Sequence, residues 1–88
     1  MIFITLNKFK EKPTKENISA SRKLFEKAEK EGVKVLSAYY TIGQYDSLVI
    51  SEAPDEKIHM KAILRWQGML STETLVAVPM DQAGELVE

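Results

Sequence analysis

Ile42-Gly43-Gln44-Tyr45-Asp46 sits between two β-rich runs, residues 33–41 and 45–52. A glycine followed by one polar residue, flanked by such runs, signals a hairpin of two antiparallel strands with a two-residue turn. Gly43 accepts the positive φ of the first turn position at little steric cost. With Gly43 and Gln44 at the turn, Ile42 faces Tyr45, Tyr40 faces Ser47 and Ala38 faces Val49. The alternate set places Thr41 against Asp46, Tyr39 against Leu48 and Ser37 against Ile50. Together with Val33 and Val35 this second set is the more apolar, so it is expected to lie under the helices. Ala38, Tyr40, Ile42, Tyr45 and Val49 are then expected on the opposite, uncovered face.

Working outward from the hairpin, residues 2–9 alternate as a strand, with Ile2, Ile4 and Leu6 on one face and Phe3, Thr5 and Asn7 on the other. Thr14 is placed to cap a helix over residues 15–31, whose inner stripe is Ile18, Ser21, Leu24, Phe25 and Ala28. Gly32 ends it as a left-handed residue. Pro54, Asp55 and Glu56 suit the opening of a second helix over residues 55–67. That helix is expected to bury Ile58, Ala62, Ile63 and Trp66, and to end at Gly68. A last strand runs from residue 69 or 70 to 78 and is stopped by Pro79. Residues 81–88 form a short tail with at most one helical turn.

The order β-α-β-β-α-β predicts an α+β, ferredoxin-like domain over residues 1–88, with a four-stranded antiparallel sheet and two helices on one face. The other face is left apolar, and such a face marks an interface. A chain of 88 residues has a small core of its own. With no cysteine available for disulfides or thiolate metal sites, self-association is the expected supplement. Twelve basic and 13 acidic residues give a net charge of −1, which argues against a nucleic-acid partner. No run approaches the ~18 apolar residues of a membrane span, and no signal peptide precedes the first strand. The expectation is a soluble, cytoplasmic protein without a membrane partner.

Among chemistry-bearing residues, Asp46 is expected to accept hydrogen bonds near the turn, as aspartates there commonly do, and Tyr45 to cap the sheet. Both, with Gly43, could instead touch a ligand or a neighbouring subunit. Glu56 and His59 stand three apart on one helix, but one pair is too few for a closed metal site. His59 reads as a surface histidine, and no metal or cofactor is expected. Tyr39, Tyr40 and Phe3 could line a ligand pocket between sheets, although aromatics are also simply good strand residues. No nucleophile elbow, P-loop or dinucleotide fingerprint is present.

Tyr39 to Asp46, then Ser51-Glu52-Ala53-Pro54-Asp55, then Ser71-Thr72-Glu73-Thr74-Leu75 resemble the GYD domain family, named for its Gly-x-Tyr-Asp hairpin. The resemblance covers nearly the whole chain. It implies a dimeric α/β barrel, two sheets packed face to face, in a family without a settled activity. The same segments are more distantly similar to effector-binding domains of Lrp/AsnC-type regulators, in which the corresponding region lies near subunit contacts and amino-acid effector sites. Cofactor-free monooxygenases and haem-degrading enzymes of the dimeric-barrel class often use an Asn on the first strand with a Trp and a His. Asn7 fits that pattern loosely; Trp66, which follows His59 and sits at a helix end, departs from it. The resulting expectation is an oligomer-forming domain that binds a small molecule between subunits without catalysis. Asn7, Tyr40, Gly43, Tyr45, Asp46 and Trp66 are its candidate ligand or interface residues. The alternatives are a cofactor-free oxygenase or haem-handling enzyme, and a purely structural interaction module.

Overall fold

A computed structural model describes residues 1–87; Glu88, the last residue of the expected tail, lies outside them. The elements are β1 (Ile2–Phe9), α1 (Lys15–Lys30), β2 (Lys34–Tyr40), β3 (Ser47–Glu52), α2 (Glu56–Leu64), β4 (Leu70–Ala77) and a short α3 (Met80–Ala83). A 3₁₀ turn, Gly84–Leu86, follows. The sheet order is β2-β3-β1-β4, and every neighbouring pair is antiparallel. This is an α+β sheet fold consistent with the ferredoxin-like order. No helix among the described residues is long and apolar enough to cross a membrane.

Local chemistry sets the element ends. The Thr14 hydroxyl accepts from the Asn17 amide at 3.1 Å and opens α1. Gly32, at φ +108°, follows α1. The Asp55 carboxylate accepts from the Ile58 amide at 2.9 Å and opens α2, so that helix begins one residue later than expected. It also ends earlier, at Leu64. Trp66 lies in the turns that follow, its amide donating to the Ile63 carbonyl.

Tyr40 pairs with Ser47, Ala38 with Val49, Tyr39 with Leu48 and Ser37 with Ile50, the register expected from the turn. Regular pairing stops at Tyr40 and Ser47, so the connection is wider than a two-residue turn. Thr41 closes it: its amide donates to the Asp46 carbonyl and its hydroxyl to the Tyr45 carbonyl. Gly43 has φ +134°.

The covered face is the opposite of the one expected. Phe3 of β1 is buried and its ring stacks on His59 of α2, with centroids 4.0 Å apart and planes 17° from parallel. Ala28 of α1 joins Phe3, Val33, Ala53, Ala62 and Trp66 in the core. The face under the helices is therefore that of Phe3, Thr5 and Asn7. Cross-strand pairing carries it through Ser51, Val49 and Ser47 to Val35, Ala38 and Tyr40. A register irregularity between Val35 and Ser37 explains the reversal. An inserted residue in an alternating strand moves every later side chain to the other face. Val33 and Val35 do lie toward the helices, but Ser37 and Tyr39 do not, while Ala38, Tyr40 and Val49 do. The face without the long helices carries Ile2, Ile4, Leu6, Leu48, Ile50 and Leu75. The covered face carries the uncharged polar residues Thr5, Asn7, Ser47 and Ser51 among its apolar ones.

Candidate functional site

Polar strand residues under two helices leave an unfilled volume. Between the sheet, α1 and α2 lies a cavity of about 220 Å³. Its sheet wall includes Thr5, Asn7, Ser47 and Ser51; its helix-side wall includes Phe25, His59 and Trp66. Thr5, Asn7 and His59 are each at most 4% exposed. Among the described residues no Asp, Glu, Lys or Arg lines it.

The polar groups differ in how they are satisfied. The Asn7 Nδ2 donates to the Ser47 Oγ at 3.0 Å, which orients the carboxamide across the β1–β3 pair. Thr5 Oγ1 is buried and has no hydrogen-bond partner among the described residues. The other such atoms belong to Glu31 and Arg65, which pair with each other as ions. An unmatched buried hydroxyl costs about 1–3 kcal/mol, so Thr5 carries hydrogen-bonding capacity that the described residues leave unmet. Burial pushes the His59 imidazole below its ordinary pKa, which keeps it neutral at pH 7. The Trp66 indole meets the Phe25 ring at 5.1 Å, tilted by 57°, an aromatic contact on the helix side of the cavity.

The Gly-x-Tyr-Asp segment supports this site from outside it. The Asp46 amide donates to the Asn7 carbonyl at 2.8 Å, and the Asp46 Oδ2 accepts from the Phe9 amide at 2.8 Å. Backbone pairing of β1 with β3 ends at Asn7 and Ser47, and the carboxylate takes over where it ends. Asp46 thereby holds two residues whose side chains line the cavity, Asn7 and Phe9. The Tyr45 hydroxyl donates to the Glu73 carboxylate at 2.6 Å, and the Lys8 ammonium stands 5.9 Å from the Tyr45 ring centre. Glu73 pairs with Leu6 across the strands, so Tyr45 reaches over the uncovered apolar face. The hydrogen bond to Glu73 raises the Tyr45 pKa.

A family model for the GYD domain matches residues 3–87. The chain belongs to the GYD domain family. No curated protein matches it.

Of the candidate residues, this GYD domain brings Asn7, Tyr40 and Trp66 to one cavity. Gly43, Tyr45 and Asp46 lie apart from it: Gly43 in an open loop, Tyr45 over the apolar face, and Asp46 as an anchor of β1. His59 is not a surface residue; it is buried on Phe3 and lines the cavity with Asn7 and Trp66. Thr5, Ser47 and Ser51 were not singled out from sequence. The signal available for them is the polar side of the alternation in β1 and β3, which ordinarily marks the solvent face. Among the described residues no three His, Asp or Glu side chains are grouped to hold a metal.

Proposed function

We propose that this domain binds a small molecule, of which the buried part is uncharged and largely apolar, inside each chain, between the sheet and the helices, and assembles with itself through its uncovered sheet face. The observation that carries the binding reading is the unpartnered Thr5 hydroxyl facing a cavity with apolar and aromatic walls. Ligand pockets have this make-up, apolar walls with a few placed polar groups, and volumes of roughly 300–1,000 Å³ for drug-sized molecules. A cavity of about 220 Å³ suits a molecule of one or two rings with one or two hydrogen-bonding groups. The assembly reading rests on Ile4, Leu6, Leu48 and Ile50, paired side by side on the face away from both long helices.

Native mass spectrometry of freshly purified protein tests both parts. The expected result is a dimer or a multiple of it, with an added mass per chain that denaturing conditions release. A monomer would overturn the assembly reading. The binding reading would fall if no mass were retained and Trp66 emission did not change with any of a panel of neutral one- and two-ring phenols, quinones and amides.

A second reading is favoured by one observation: Asn7, His59 and Trp66 meet at the same cavity although they are distant in sequence. In it the bound molecule is oxygenated without a cofactor, the neutral His59 serving as the proton acceptor. Protein-dependent uptake of dioxygen with hydroquinone substrates is the expected result, and no uptake above the uncatalysed rate would end this reading. Its haem-handling variant is disfavoured by the size of the cavity.

A further inference from the structure

The inner cavity does not end at the helices. A second, outer depression of about 510 Å³ adjoins it. Phe9, Ser21, Phe25, Tyr40 and Leu70 line both, so the two adjoin across those side chains, in a line from the sheet to the surface beside the first turns of α1. The chemistry changes along it. Among the described residues the inner part has no Asp, Glu, Lys or Arg in its walls, whereas the outer part has Arg22 and Glu11. Among the described residues Arg22 makes no salt bridge. The segment that carries the outer walls is the basic part of the chain. Between residues 8 and 23 there are Lys8, Lys10, Lys12, Lys15, Arg22 and Lys23 against Glu11 and Glu16, an excess of four positive charges in a chain of net charge −1.

We infer that the ligand is an amphipathic acid, with an uncharged hydrogen-bonding group at its buried end beside Thr5, an apolar body along Phe25 and Trp66, and an anionic group at the mouth beside Arg22. This rests on the binding reading above and names the ligand class of the same site. Burying an anion in the inner cavity would be costly without a cation there. At the mouth the guanidinium offers charge-assisted hydrogen bonds to a carboxylate, an attraction that weakens as salt is added.

The test compares para-hexylphenol with its ω-carboxy analogue by calorimetric titration into the full-length protein. Both carry the buried phenol and the apolar chain; only one carries the acid. At low salt the acid is expected to bind about tenfold more tightly, with the ratio shrinking as salt is added. Arg22→Gln is expected to bring the ratio to within about twofold of unity. Equal affinity of the two compounds for the wild type, or an unchanged ratio in Arg22→Gln, would overturn the inference and leave neutral binding standing. Binding of neither compound would overturn the inference; the mass-spectrometric and Trp66 assays would then decide the binding reading separately. Circular dichroism of Arg22→Gln, whose side chain is exposed, checks that the variant is folded.

Discussion

Thr5→Val puts the cavity argument at its most exposed point. Thr5 is 3% exposed and its Oγ1 has no partner among the described residues. A buried hydroxyl in that state carries a desolvation penalty of about 1–3 kcal/mol. Valine keeps the branched shape, and its β-propensity suits the centre of a sheet. Replacing the hydroxyl with a methyl group therefore removes the penalty and adds apolar contact. The ligand-free protein is expected to gain about 1–2 kcal/mol. In a domain of this size each kcal/mol moves the melting temperature by roughly 4–8 °C. The same change deletes the hydrogen bond offered to the ligand, worth about 1 kcal/mol, or about fivefold in Kd. The variant should thus be more stable when empty and a weaker binder, a trade expected where a site is kept at the expense of stability. Differential scanning calorimetry of protein freed of retained ligand by denaturation and refolding reads the first effect. Titration with para-hexylphenol reads the second. A melting temperature below that of the wild type would refute the reasoning, because it would mean that the hydroxyl is already satisfied.

Gly43→Val should destabilise by about 1–2 kcal/mol in chemical denaturation. A Cβ at Gly43 would meet nothing within 4 Å, so the cost is that of φ +134° alone, and an unchanged midpoint would refute it. Asp46→Ala leaves the Phe9 amide without its carboxylate partner, and about 1.5–3 kcal/mol is expected to be lost; Asp46→Asn, which keeps an oxygen there, should recover part of it. The Arg65 and Lys61 cations hold the Glu31 carboxyl down at about 2, from an ordinary value of 4.5. The stability contributed by Glu31 is thus complete above about pH 4.5 and is lost as the pH falls towards 2. In an acid titration of the melting temperature, Glu31→Gln should remove that part of the slope, and a parallel curve would refute the assignment.

Much of the architecture follows from local rules that the chain states outright. The alternation of Ile2, Ile4 and Leu6 against Phe3, Thr5 and Asn7 needs no partner to be read, and neither do the cap at Thr14 or the positive φ of Gly32 and Gly43. The pairing of Tyr40 with Ser47 and Ala38 with Val49 follows from the hairpin, because a turn sets register between its strands. The Gly-x-Tyr-Asp segment also marks the family.

The tertiary structure alone decided which face the helices cover. Both faces of the hairpin carry apolar residues, and the irregularity after Val35 exchanges them without leaving a mark in composition. Once the polar face of β1 is turned inward, Thr5 and Asn7 come under the helices. His59 becomes a buried ring on Phe3, and Trp66 closes the same space. A cavity is volume that side chains from six segments, all four strands and both long helices, fail to fill. Each segment by itself specifies only its own periodicity, so the site came into view only when the helices were set against the sheet.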